Sequence, residues 1–326
     1  MPRLAGAYEG KVVAITGATG YLASALGPAL RNVGARLLLV SRQEIPPPPG
    51  GHSLQADVRM AECWRTIVQR ADVVFHLAGN TSVYAAATDP AGSLLSTVSP
   101  LTHLVAAARK AGRRPRVLFA STATVYGLTS TLPVSEDADL MPITTYDLHK
   151  VFAEKQLELA SSQGLVEGVS LRLANVYGPS SSGSSVDERG VINRIAKLAL
   201  KGADLRLYGD GCYLRDYVYV DDVVRAFLAA GAELKTVGQA FNVASGAGCT
   251  VRDAFHVVAE RAEKVIGRRS RVYNVPWPEC ADPIDLRHFT ANIDRMRSAC
   301  GWEPMVTLAD GVEHLINHFR HTMNIQ

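Results

Sequence analysis

Residues Lys11–Leu26 read KVVAITGATGYLASAL. Val12, Val13 and Ile15 form a β-branched, nearly continuous apolar run, which suits a strand buried on both faces. Gly17 and Gly20 follow at once, and from Leu22 the apolar spacing becomes helical. Strand, glycine turn and helix in that order make a phosphate cradle. Gly17 allows the tight turn, Gly20 lets main chain approach a pyrophosphate, and small Ala23 lets helix and strand pack closely. The helix N-terminus then faces the negative charge. No Gly-Lys-Ser/Thr follows, so a P-loop is excluded. The stretch predicts a dinucleotide site that includes Gly17, Thr19, Gly20, Tyr21 and Leu22.

Further apolar runs recur at ARLLLV (Ala35–Val40), DVVFHLA (Asp72–Ala78), RVLFAS (Arg116–Ser121) and VSLRLAN (Val169–Asn175). Helical spacing separates them over Leu22–Val33, Met60–Arg70, Ser93–Ala111 and Asp147–Ser161. This alternation predicts an α/β fold, a Rossmann-like doubly wound parallel sheet with ligands at the carboxyl ends of its strands. The second half is less regular. It offers a polar stretch at Gly178–Ser185, a strand at Asp204–Gly211, and helices at Gly190–Gly202, Tyr219–Gly231, Thr250–Gly267 and Ala309–Phe319. The expected division is a dinucleotide-binding domain over 1–178 with a returning segment at about 212–247. A smaller C-terminal substrate-binding domain takes about 179–211 and 248–326. PPPPGG (Pro46–Gly51) is a stiff loop rather than a linker, because strands resume beyond it.

The 326 residues are 47% hydrophobic and 20% charged, the balance of a globular protein. A net charge of +3 is too mild to argue for nucleic acid, yet it does not repel an anionic substrate. Five scattered cysteines contain no C-x-x-C pair, so neither a disulfide frame nor a metal site is expected. The N-terminus lacks a signal-peptide core, and no apolar run reaches the ~18 residues of a membrane span. No membrane association and a cytoplasmic location are the expectations.

The second strand ends LLLVSRQ, with Ser41 and Arg42 where an NAD site usually carries an acid. A hydroxyl and a guanidinium suit a 2′-phosphate, so NAD or NADP is expected, with NADP favoured by Arg42; the alternative is an ordinary surface arginine. In MPITTYDLHK (Met141–Lys150), Tyr146 and Lys150 share a helix face. An ammonium there favours the phenolate and brings the tyrosine within reach of neutral-pH base chemistry. In isolation the same spacing is that of any amphipathic helix.

Taken with FHLAG (Phe75–Gly79), STATVYG (Ser121–Gly127), LRLANVYGP (Leu171–Pro179), LRDYVYVDDVVRAF (Leu214–Phe227) and GWEP (Gly301–Pro304), the order and spacing of these motifs resemble the extended short-chain dehydrogenase/reductase family. That family includes nucleotide-sugar 4-epimerases, dehydratases and ketoreductases. The resemblance implies catalytic roles for Tyr146, Lys150 and Thr122. It places Asp57 and Val58 at the adenine, and Leu77, Ala78 and Gly79 along the cofactor's phosphates and ribose. It assigns Thr122, Thr124, Asn175 and Arg215 to the substrate, a nucleotide sugar, and implies a homodimer built on the helices of Ser93–Ala111 and Asp147–Ser161. For Arg215 a salt bridge to Asp216 or Asp221 is the alternative reading.

The departures are informative. Ala123 and Thr124 stand where the family's 4,6-dehydratases carry Asp-Glu, so elimination loses its acid and base. Asp282 stands where many relatives have a diphosphate-clamping arginine, and Arg287 is the nearby candidate to replace it. Thr97 occupies a common asparagine position. The expected activity is a nucleotide-sugar epimerase working through a 4-keto intermediate and transient hydride transfer. An NADPH-dependent ketoreductase of a keto-sugar or polyol is the close alternative, and a non-catalytic dinucleotide sensor the remote one. His76, His149, His314, His318, Asp221 and Asp222 read as structural.

Overall fold

The computed structural model describes residues 6–180 and 190–324. In chain order, the first half holds β1 (Val12–Thr16), α1 (Tyr21–Asn32), β2 (Arg36–Ser41), β3 (His52–Gln55), α2 (Ala61–Arg70), β4 (Val73–His76), α3 (Val83–Thr88), α4 (Pro90–Thr97), α5 (Ser99–Ala111), β5 (Arg116–Thr122), α6 (Thr145–Ser162) and β6 (Glu167–Leu173). The second half holds β7 (Asn175–Tyr177), α7 (Val191–Leu200), β8 (Leu205–Tyr208), β9 (Leu214–Tyr219), α8 (Val220–Ala232), β10 (Ala240–Val243), β11 (Gly248–Thr250), α9 (Val251–Ile266), β12 (Val272–Val275), α10 (Asp294–Cys300) and α11 (Leu308–Thr322).

Seven strands form one parallel sheet in the order β10-β6-β5-β4-β1-β2-β3. The strand order reverses at β1, between β2 and β4, which opens a crevice at their carboxyl ends. Residue alternation along the strands feeds two cores. Val13, Ile15, Phe75 and Leu118 pack on one face with Phe227 and Phe241, while Ala14, Leu38, Val74 and Val117 pack on the other with Trp64 and Leu104. A third core joins α7, α9 and α11 through Ile195, Phe255, Leu315 and Phe319.

The predicted elements recur with shifts that have physical causes. β3 was missed because its residues, His52–Gln55, are only half-buried at the sheet edge and carry no apolar run. The single strand expected over Val169–Asn175 is two: β6 ends at Leu173, and β7 leaves the main sheet to pair with β9. The helix expected at Ser93–Ala111 is α4 and α5, meeting at Val98, with Pro100 opening the second. Across that break, Pro90–Ala111 is long and apolar enough to cross a membrane (mean hydropathy 1.2), a match the sequence reading passed over. Here Leu101, Leu104, Ala107 and Ala108 bury one side of α5. Thr250 caps α9, whereas α8 has no side-chain cap. Asp222 instead turns inward to accept from the main-chain N–H groups of Met305 and Val306, so it anchors the C-terminal segment. The polar stretch at Gly178–Ser185 lies largely outside the described residues.

Candidate functional site

A cavity of about 550 Å³ lies at the ends of β1, β2 and β4. Its wall includes Gly17, Thr19, Gly20, Ser41, Arg42, Asp57, Val58, Leu77, Ala78 and Gly79. Gly17 has φ +69°, and a Cβ there would stand 3.0 Å from the main-chain N of Ala78, so only glycine fits the turn. The two strand ends are pinned together: Thr16 Oγ1 accepts from Ala78 N at 3.2 Å and pairs with His76 Nδ1 at 2.7 Å. His76 is fully buried, and burial, aided by the charge of Lys150, pushes its pKa down to about 3.

Tyr21 and Leu22 do not contribute side chains to this wall. Tyr21 is buried toward the third core and donates to the carbonyl of Gly178 at 2.9 Å, and Leu22 packs against core residues. Only their main chain, at the start of α1, remains for a phosphate. Asp57 is oriented by Arg59, which reaches its Oδ2 through Nε at 2.8 Å and Nη2 at 2.6 Å and holds the carboxyl below its usual range. Arg59 lines the cavity as well, and no motif had marked it. Arg42 is exposed on the wall.

Thr144 caps α6 by accepting from Asp147 N at 3.1 Å, which fixes the turn that carries Tyr146. One turn later Lys150 is buried. Its Nζ donates to Ala120 O at 2.8 Å and lies 5.8 Å from the centre of the Tyr146 ring. Burial pushes its pKa down to about 8. A Cβ on Gly79 would lie 3.9 Å from both Lys150 Nζ and Thr97 Oγ1, so the lysine borders the first cavity. Thr97 Oγ1 is buried there without a partner. Thr122 ends β5, with its Oγ1 3.0 Å from Thr124 Oγ1. His149 is buried and pairs with Ser93 Oγ at 2.9 Å, whereas His314 is exposed; neither enters the site.

A second cavity, of about 440 Å³, is lined by Asn175, Arg215 and Arg287. Arg287 Nη1 donates to Ile284 O at 2.9 Å and Nη2 to Asn175 Oδ1 at 3.4 Å, while its Nε is buried without a partner. Burial, with the charge of Arg215 adding, lowers its pKa to about 10. Arg215 donates to the carbonyls of Leu214, Asp285 and Arg287, and burial lowers its pKa too. Neither guanidinium belongs to an ion pair among the described residues. The salt-bridge alternative for Arg215 therefore fails; Asp216 instead accepts from the main chain of Ser245, Gly246 and Ala291. Two neighbouring cations with spare donors form an anion site.

Asp282 does not oppose that site. Its carboxylate accepts from Ile284 N at 2.9 Å, capping the turn that delivers Arg287, and it is absent from the cavity wall. The wall acid is Asp285, which accepts a hydrogen bond from Tyr84 of α3. Aromatic residues complete the cavity: Tyr208 stacks on Trp277 with centroids 5.3 Å apart, and Tyr213 meets Trp277 edge-on. No local sequence signal links them, because they are scattered over separate segments. Thr124 lines neither cavity and stands buried beside Thr122.

Residues 13–244 match the model of the NAD dependent epimerase/dehydratase family. The chain belongs to this family. It is an NAD-dependent enzyme of the extended short-chain dehydrogenase/reductase type. A UDP-glucose 4-epimerase of Mycolicibacterium smegmatis is 32% identical over 271 residues, covering 82% of each chain. The solved UDP-glucose 4-epimerase of Thermotoga maritima, with UDP-glucose, superposes with a TM-score of 0.85 at 28% identity over 96% of this chain and 99% of that one. That of Thermus thermophilus, with NAD, gives 0.80 at 28% over 95% and 99%. The first cavity fits the family's dinucleotide: a turn bent at Gly17 before a helix N-terminus, and a buried ammonium facing Gly79.

Proposed function

We propose that the chain is a nucleotide-sugar 4-epimerase, with a UDP-sugar as its substrate class. The observation that carries this reading is that one fold holds Tyr146 and Lys150 on a helix turn tied to β5, which ends at Thr122, and a cavity lined by two guanidiniums, Arg215 and Arg287, that form no ion pair among the described residues. Asn175 and these arginines would hold the diphosphate, with the base against the Tyr208–Trp277 aromatic wall. The nicotinamide dinucleotide, when bound, supplies a reversible hydride acceptor. Lys150 would hold its ribose and keep Tyr146 acidic. Tyr146 would take the proton of the C4 hydroxyl and return it once the keto sugar presents its other face. Thr122 would hydrogen-bond the reacting oxygen throughout. The absence of carboxylates at Ala123 and Thr124 favours this over elimination.

For the cofactor, Arg42 with Ser41 on the first cavity's wall supports a preference for the 2′-phosphorylated dinucleotide. The return of β10 to the main sheet beside β6, and the separate core of α7, α9 and α11, support a division into a dinucleotide-binding unit and a smaller substrate-binding unit. Leu148, Phe152 and Leu159 are exposed on α6, which supports a homodimer through that helix. The test of the activity is direct. Incubated with UDP-glucose or UDP-galactose and catalytic cofactor, the protein should equilibrate the C4 epimers without net consumption of reductant. Stoichiometric oxidation of NADPH with a keto-sugar, and no epimerisation, would replace this reading with a ketoreductase.

A further inference from the structure

Asp147 follows Tyr146 on the first turn of α6 and is completely buried. Both its carboxyl oxygens are shielded from solvent, and neither has a hydrogen-bond partner among the described residues. The hydroxyls of Thr124 and Thr144 lie beside it, and Arg287 acts on it at longer range from the C-terminal segment. The titratable groups near it on its own helix are Tyr146, His149 and Lys150. An ionised carboxylate left without a hydrogen bond is costly to bury, and that cost weighs toward the neutral acid at this position. Burial does raise its pKa; Thr124, Thr144 and Arg287 pull the other way.

The neighbouring hydroxyls give that acid a task. Thr122 Oγ1 and Thr124 Oγ1 are 3.0 Å apart, with either able to donate, and the Thr124 main-chain N–H already donates to Thr122 Oγ1 at 3.2 Å. Each hydroxyl has one proton, so the chain has two senses. An ionised Asp147 draws the Thr124 proton toward itself. Thr124 then accepts from Thr122, and Thr122 is left with only a lone pair for the reacting oxygen. A protonated Asp147 reverses every bond.

We propose that Asp147 is a positioning residue, a neutral carboxylic acid that donates to Thr124 so that Thr124 donates to Thr122 and Thr122 donates to the oxygen at C4. This rests on the epimerase reading of the same site. No net proton moves through the chain. Its donors point at an oxygen that becomes more negative as its proton passes to Tyr146, which is where fixed dipoles lower a barrier. The arrangement uses what the sequence stretch YDLHK holds between the tyrosine and the lysine, and no partner for the acid is needed beyond the threonine pair.

Two measurements decide it. In the infrared difference spectrum of ligand-free wild type against Asp147→Asn at neutral pH, a protonated-carboxyl C=O stretch should belong to Asp147. Carboxylate bands in its place would overturn the proposal whatever the substrate proves to be. In kinetics at saturating cofactor, Asp147→Ala should lower kcat about tenfold with KM little changed, the loss of one aimed hydrogen bond. Asp147→Asn keeps an N–H for Thr124, so it should recover most of that loss and lack the fall in kcat that wild type shows as Asp147 ionises at high pH. Asn no better than Ala, or a pH profile the same as wild type, would reject the idea. If no nucleotide sugar is turned over, the epimerase reading fails separately, and the infrared result still judges Asp147.

Discussion

The two cavities are equipped to meet anions by different means. The first is built from the ends of neighbouring parallel strands, β1, β2 and β4, and its phosphate-facing part is main chain bent at Gly17 and aimed by a helix N-terminus. The second is built from β7, β8, β9, the segment carrying Trp277 and the turn carrying Arg287, and its anion-facing part is side-chain charge. Main-chain recognition needs a few consecutive residues in one order. Side-chain recognition needs only that a cation arrive, from whatever position the chain can spare. Arg287 enters the cavity from the other side of the short turn that Asp282 caps, and by the resemblance it would take the part of the arginine expected at Asp282. On the proposed reading, Tyr146, Lys150 and Thr122 would be the group that both cavities serve.

The largest effect should come at that shared group. Tyr146→Phe keeps the ring and removes the hydroxyl, and turnover should fall about a hundredfold to ten-thousandfold. Calorimetry should find cofactor and UDP affinity both nearly unchanged. Near-normal turnover would return Tyr146 to an ordinary helix face and leave the two cavities without common chemistry.

Next, the two modes of recognition should separate. Arg215→Ala should weaken UDP binding by about thirtyfold or more, the loss expected for one member of a desolvated charge contact, and leave the dinucleotide's affinity alone. Gly17→Ala should do the reverse, because the added Cβ meets Ala78 in the first cavity and touches nothing in the second. If either variant damages both affinities equally, the cavities are one coupled site and the contrast is false. A smaller effect concerns the one side-chain cation assigned to the first cavity. Arg42 is exposed and screened by solvent, so Arg42→Ala should cost about tenfold in affinity for the 2′-phosphorylated dinucleotide and nothing for the unphosphorylated form. Equal affinities before and after would make Arg42 a surface residue.

The same contrast explains what the sequence could disclose. The first cavity was legible because its residues fall in short contiguous runs whose periodicity also announces the strands that carry them; Gly17, Asp57 and Gly79 could be placed from spacing and resemblance alone. For Tyr21 and Leu22 the motif reports that a turn meets a phosphate but not that their side chains turn away from it. In the second cavity Asn175 and Arg215 came from motifs. Tyr208, Tyr213 and Trp277 did not, since nothing local links residues that meet only through tertiary packing. Asp147 lies inside the tyrosine–lysine motif, but burial without a partner has no signal in the sequence until Thr124 and Arg287 are seen around it.

The smallest effect is a pH dependence that sharpens the difference between the cavities. Lys150 is the buried ammonium beside the first cavity, with a pKa lowered by burial to about 8. The unfolded chain holds that proton to about 10.4, so between these values the unfolded state binds more protons. The lysine's contribution to fold stability therefore rises as pH climbs from about 8 toward 10.4. Cofactor affinity should move the opposite way, because the deprotonated amine loses its charge-assisted bond to the ribose. Dinucleotide titrations at pH 7 and pH 9 should differ by roughly tenfold, the fall in protonated fraction one unit above the pKa. Lys150→Met should bind weakly at both values with no slope. UDP binding at the guanidinium pair should stay flat over the same range, since Arg287, even lowered to about 10, keeps its charge at pH 9. A slope in the UDP titration that matches the cofactor's would mean that Lys150 feels the second cavity, and that recognition there is not carried by the arginines alone.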